Sequence, residues 1–109
     1  MKRFGQLIGL RPEALEAYKR HHAAVWPEIL AAIRAAGIRN YSIFHFRGQL
    51  FAFYEYVGPE EEYEARMREL ARAPRMREWW DIMDAAQLPV EGRAPGEWWA
   101  SLEEVFHAD

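Results

Sequence analysis

The run Ile38-Arg39-Asn40-Tyr41-Ser42-Ile43-Phe44-His45-Phe46-Arg47-Gly48-Gln49-Leu50-Phe51-Ala52-Phe53-Tyr54-Glu55-Tyr56-Val57 reads as two strands joined by a tight turn. Aromatic and β-branched residues dominate both halves, and Arg47-Gly48 supplies the turn chemistry between them. A two-residue turn sets the register. Tyr41 then faces Tyr54, Ile43 faces Ala52 and His45 faces Leu50 on one side of the sheet, while Ser42 with Phe53 and Phe44 with Phe51 lie on the other. Both sides are substantially apolar, so both require cover.

Upstream of this hairpin, residues 3 to 10 alternate as a strand does, and Arg11-Pro12-Glu13 opens a helix with proline in its first turn and an acid behind it. That helix is expected to reach about Ala24. Trp26, before a proline, is pushed out of helical angles, Pro27 restarts the helix through Glu28 to Ala36, and Gly37 ends it. Downstream, Gly58-Pro59 breaks the sheet. Glu60 to Ala73 reads as a charged helix with partners such as Glu62 and Arg66 or Glu64 and Arg68. Pro74 interrupts it, Arg75 to about Ala86 continues, and Leu88 to Gly96, with two prolines and two glycines, is a loop before a last strand over Ser101 to His107. The order β-α-β-β-α-β is that of a ferredoxin-like α+β domain spanning residues 1–109, in which helices cover one face of a four-stranded sheet. The other face carries Phe44, Phe51 and Phe53, and a second copy packed against it is the expected cover.

Composition narrows the function. The 109 residues include six Phe, five Tyr and five Trp, more rings than a core of this size calls for, which points to a ring-lined cavity, an interface, or both. A net charge of -3 and a pI near 5.8 lack the basic footprint of a nucleic-acid binder. No apolar run approaches the roughly 20 residues that span a bilayer, and the N-terminus reads as a first strand rather than a targeting segment. With no cysteine, disulfides, thiolate catalysis and cysteine-ligated zinc are excluded, and a cytoplasmic location is the expectation.

Two clusters carry the candidate chemistry. Tyr18, His22 and Trp26, at i, i+4 and i+8, share one helical face if the helix persists, so a phenol, an imidazole and an indole project together. The same spacing also describes an ordinary core stripe. His21 points about 100° away, toward solvent. In the second cluster, Trp79-Trp80, adjacent positions diverge. At most one ring can bury squarely in the core, and the other must reach a rim, a cavity or a partner. Indoles suit sugars, whose C–H faces stack on rings while their hydroxyls meet Tyr, Trp and His tips, although packing at an edge explains the pair equally well. Trp98-Trp99 is a structural or lid feature. His21, His22, His45 and His107 show no metal-binding spacing, and neither a glycine-rich phosphate cradle nor a Gly-x-Ser-x-Gly elbow is present, so no metal and no cofactor are expected.

Taken together these motifs resemble the L-rhamnose mutarotase family: Tyr18-x-x-x-His22-x-x-x-Trp26-Pro27-Glu28, Asn40-Tyr41-x-Ile43, Leu50-Phe51-Ala52, Trp79-Trp80 with Met83, and Leu102-x-Glu104-Val105-Phe106. The segment from Leu88 to Trp99, the hairpin length and His107 depart from that pattern. The resemblance implies a homodimeric α+β barrel that interconverts the anomers of L-rhamnose without metal or cofactor, with His22 as proton donor and Tyr18, Tyr41, Trp79 and Trp80 as sugar contacts. Such a reaction protonates the ring oxygen while a base takes the anomeric proton, and an imidazole titrating near 6.5 suits it, for a gain of roughly 10²- to 10⁴-fold. For Tyr41 to meet His22, its side of the sheet must be the helix-covered one. Competing readings are a mutarotase of another 6-deoxyhexose such as L-fucose, a cofactor-free monooxygenase on the same fold, and a sugar-binding module without chemistry.

Overall fold

A computed structural model describes residues 1–109. Strand β1 (Lys2–Leu10) pairs antiparallel with β3 (Gln49–Tyr56), and β3 pairs with β2 (Ile38–Phe46). The other edge of β1 carries two short antiparallel strands, β4 (Gln87–Leu88) and β5 (Ala100–Leu102). Leu88 lies opposite Gly9 and Ala100 opposite Leu7. The two are halves of one fourth strand, with residues 89–99 inserted where a single residue would face Ile8. The sheet order β2-β3-β1-β4 is that of the ferredoxin-like fold.

The helices that cross between strands are broken in two by proline. The first crossover is α1 (Leu15–Ala23) and α2 (Pro27–Ala35), and the second is α3 (Tyr63–Arg72) and α4 (Pro74–Ala86). Pro27 and Pro74 each occupy a first helical turn, and the residues before them, Trp26 (ψ 135°) and Ala73 (ψ 122°), are extended as the proline ring demands. The acidic Glu60–Glu62 forms a 3-10 turn ahead of α3 rather than part of it, and Glu62 pairs with Arg66 one turn on at 3.0 Å. No helix is long and apolar enough to cross a membrane.

Arg47 and Gly48 both take positive φ (47° and 77°), the mirror-image turn whose twist matches that of the strands. The register that turn dictates holds from Phe46–Gln49 to Ser42–Phe53 and then slips by one residue. Asn40 adopts a left-handed φ of 52°, which a short amide side chain tolerates, and its amide donates to Glu55. A β-bulge results, and the expected direct pairing of Tyr41 with Tyr54 is replaced by a diagonal contact with ring centroids 5.5 Å apart.

The helix-covered side of the sheet holds the core. Ile8, Leu10 and Leu50 pack with Tyr18, Ile29, Met76, Trp79 and Met83, while Ala36, Ile38 and Tyr54 form a smaller cluster toward the other end. Each large aliphatic side chain buried there contributes about 1.5–3 kcal/mol. The opposite side is bare: Phe44 is 65% exposed and Phe51 is also exposed, whereas Phe53 is half-buried. The last strand stops at Leu102 instead of running to His107: it pairs only with Gly5–Leu7, and Lys2–Phe4 of β1 have no partner on that edge. The tail beyond is tied by the guanidinium of Arg3 donating to both oxygens of Glu104 (2.9 and 3.1 Å), and Val105 and Phe106 remain more than 80% exposed.

Candidate active site

A cavity of about 900 Å³ opens between the helices and the sheet, and Tyr18, His22, Tyr41, Trp79 and Trp80 all line it. Tyr18 and His22 come from successive turns of α1, and Tyr41 comes from the bulge of β2, on the helix-covered side. One stripe of α4 and the residue after it contributes Met76, Trp79, Trp80, Met83, Asp84 and Gln87, the spacing of a single helical face. Trp79 is buried at 6% exposure and Trp80 sits at the rim at 36%, as divergence of adjacent helix positions requires.

Trp26 is not in the cavity. α1 ends at Ala23, so the i+8 position is lost, and the indole instead packs edge-on behind Trp79 (5.1 Å) with the Arg75 guanidinium 3.7 Å from its ring centre. Tyr54 does line the cavity. His21 is half-buried rather than solvated: Nδ1 bonds the Ala17 carbonyl at 2.8 Å and the ring turns its edge on Trp79.

His22 is held on three sides. Its Nδ1 lies 2.8 Å from the Tyr18 carbonyl oxygen, which can only accept, so in the neutral ring Nδ1 carries the proton and Nε2 is the free nitrogen. The ring lies tilted on Tyr18 (4.4 Å) and edge-on to Trp79 (5.7 Å). Burial lowers its pKa from 6.5; the bond to the Tyr18 carbonyl acts the other way and His21 adds to the lowering. Neutral imidazole is therefore its resting form at pH 7. Burial raises both phenols, Tyr18 against the opposing bond from Gln87. Tyr41 borders the open cavity and stays 41% exposed, but protein crowded around its hydroxyl pushes its pKa up to about 12.

Three lining residues outside the sequence-derived candidates bear on the site's hydrogen bonding and charge. Gln87 is buried, and its amide nitrogen donates to the Tyr18 hydroxyl at 3.0 Å. Trp98 donates from Nε1 to the Gln87 carbonyl oxygen at 2.8 Å. Asp84 brings a carboxyl whose pKa is raised by burial and by Asp81, with Arg77 opposing. Extending the Trp79–Met83 spacing by one more turn reaches Gln87, so that residue had a helical signal; Trp98 had none. Nowhere do three His, Asp or Glu side chains converge as a metal site would need. Aromatic walls with phenol, imidazole and amide tips suit a small polyhydroxylated ligand.

Residues 3–108 match the sequence profile of L-rhamnose mutarotases. The chain is 37% identical over 111 residues to an L-rhamnose mutarotase of Lactiplantibacillus plantarum and 32% identical over 111 residues to one of Bacillus subtilis, with all of both chains covered in each case. Among solved structures it superposes on an L-rhamnose mutarotase of Formosa agariphila with a TM-score of 0.77 at 28% identity, covering all of both chains. A type-II polyketide cyclase of Streptomyces glaucescens, also fully covered, has a TM-score of 0.64 at 15% identity, a likeness of fold alone. The profile match over almost the whole chain, together with relatives 37% and 32% identical over their full length, places this protein in the L-rhamnose mutarotase family.

Proposed function

We propose that this protein is an isomerase that interconverts the α and β anomers of L-rhamnose, with His22 moving the proton that opens the ring. The observation that carries this reading is the half-buried imidazole, fixed at Nδ1 and free at Nε2, in a cavity walled by Tyr18, Tyr41, Trp79 and Trp80. Only protons move in the reaction. As imidazolium, His22 gives its Nε2 proton to the ring oxygen while the anomeric hydroxyl passes its own to water in the open cavity; the C–O ring bond breaks, the aldehyde turns, and on closure at its other face the ring-oxygen proton returns to His22 and water returns a proton to the new anomeric hydroxyl. Burial makes the charged form scarce at neutral pH and correspondingly more acidic. Tyr18, Tyr41, Trp79 and Trp80 hold the sugar.

The reading includes a cytoplasmic homodimer joined through the sheet face of Phe44, Phe51 and Phe53. Its support is the exposed apolar surface there, together with the Val105–Phe106 tail. Saturation-transfer NMR on equilibrated sugar tests the activity: exchange between anomer signals is expected with L-rhamnose, unchanged by chelator and slower with L-fucose. No acceleration over the uncatalysed rate on L-rhamnose refutes it. Light scattering tests the dimer, which is expected at about twice the 12.8 kDa chain mass and lost in Phe44→Asp.

A further inference from the structure

Trp98 lies at the end of the insertion that splits the fourth strand, and that insertion is braced. The Glu97 carboxylate accepts from the Ala94 amide (3.0 Å) and the Ser101 hydroxyl (2.6 Å), and Arg93 donates to the carbonyls of Val90 and Glu97. The excursion thus delivers one indole N–H, in a defined place, to the buried amide of Gln87.

Hydrogen-bond chemistry then leaves a single arrangement. An indole N–H only donates, so the Gln87 atom facing Trp98 is the oxygen. The amide nitrogen therefore faces Tyr18 and donates to its hydroxyl oxygen. With that oxygen accepting, the hydroxyl's own hydrogen is left for the cavity. We infer that Gln87, oriented by Trp98, is a positioning residue that fixes Tyr18 as a hydrogen-bond donor toward an oxygen of the bound sugar. This rests on the mutarotase reading above and adds to it the polarity of the contact.

Steady-state anomer exchange of Gln87→Glu, Gln87→Leu and Trp98→Phe tests it, each compared with wild type at the same pH so that the titrations of His22, Asp84 and Tyr41 cancel. In Gln87→Glu the ionised carboxylate takes the Tyr18 hydrogen for itself, so KM rises about tenfold or more while kcat stays within about twofold, the signature of lost uniform binding. Lowering the pH until the new carboxyl is protonated restores a donor and reverses part of the rise. Gln87→Leu removes the partner without reversing it and raises KM less. Trp98→Phe frees the amide to turn over and also raises KM less than Gln87→Glu. A packing role predicts the opposite order, the isosteric Gln87→Glu near wild type and Gln87→Leu worst, and that order overturns the inference. If Gln87→Glu fails to fold, unchanged KM in the other two variants overturns it alone. Wild type without exchange on L-rhamnose would instead remove the mutarotase reading, and this inference with it.

Discussion

The adjacent tryptophans offer a test in which one residue step around the helix separates packing from binding. Trp79 is 6% exposed, meets Trp26, His21 and His22 edge-to-face, and belongs to the main core cluster, whereas Trp80 keeps 36% of its surface in solvent at the cavity rim. Truncating a buried tryptophan to alanine costs about 3–5 kcal/mol. Trp79 borders an open cavity of about 900 Å³, so the space it vacates joins that cavity and fills with water rather than standing empty, which favours the lower end. At about 4 °C per kcal/mol for a domain of this size, Trp79→Ala should lower Tm by about 12 °C or more. Trp80→Ala, a partly exposed site, should cost about 1 kcal/mol or less and leave Tm within a few degrees, while weakening L-rhamnose binding at least as much. Urea unfolding followed by far-ultraviolet circular dichroism and, separately, by tryptophan fluorescence gives the stabilities, and coincident transitions license the two-state treatment. Equal destabilisation of the two variants, or a larger loss at Trp80, would refute the division of labour drawn from the helical stripe.

Gly9→Ala places a Cβ 2.7 Å from the Leu88 carbonyl oxygen; β4 must shift, so a stability loss of about 1–3 kcal/mol by urea midpoint is expected, with a raised KM because Gln87 moves with its neighbour. Asn40→Val forces a β-branched residue into a φ of 52° and should cost about 1–2 kcal/mol or more, whereas Asn40→Gly, free of that strain, should stay close to wild type apart from the lost bond to Glu55. His22 has a folded pKa below its unfolded 6.5, so between the two values the unfolded chain binds more protons and stability falls as pH drops through that window. His22→Gln should flatten the slope there, and an unchanged slope would assign it to another group.

Much of the hairpin was legible from local chemistry. A two-residue turn at Arg47-Gly48 leaves one register, and alternation then assigns every side chain to a face, with Leu50, Ala52 and Tyr54 buried as expected. The bulge was hidden because Asn40 is compatible with an ordinary strand, and only the non-local pairing of Ile38 and Arg39 with Tyr56 and Glu55 exposes the extra residue. The fourth strand was misplaced for a similar reason. Its halves are two and three residues long, too short for periodicity to register, and only the free edge of β1 defines them. Among the cavity-lining residues, Tyr18 and His22 were legible from i, i+4 spacing within one helix; Trp26 was to join them only if that helix persisted, and it ends at Ala23. Gln87 and Trp98 act through each other across an eleven-residue insertion, and no spacing rule encodes that contact.

The central claim is that His22, and not its neighbour, moves the proton. Saturation-transfer NMR on equilibrated L-rhamnose with wild type, His22→Ala and His21→Ala addresses it most directly. The account predicts that His21→Ala, which alters a ring outside the cavity, keeps most of the exchange rate, and that His22→Ala loses about 10²- to 10⁴-fold with its fold intact. Equal exchange rates in the two variants would contradict it.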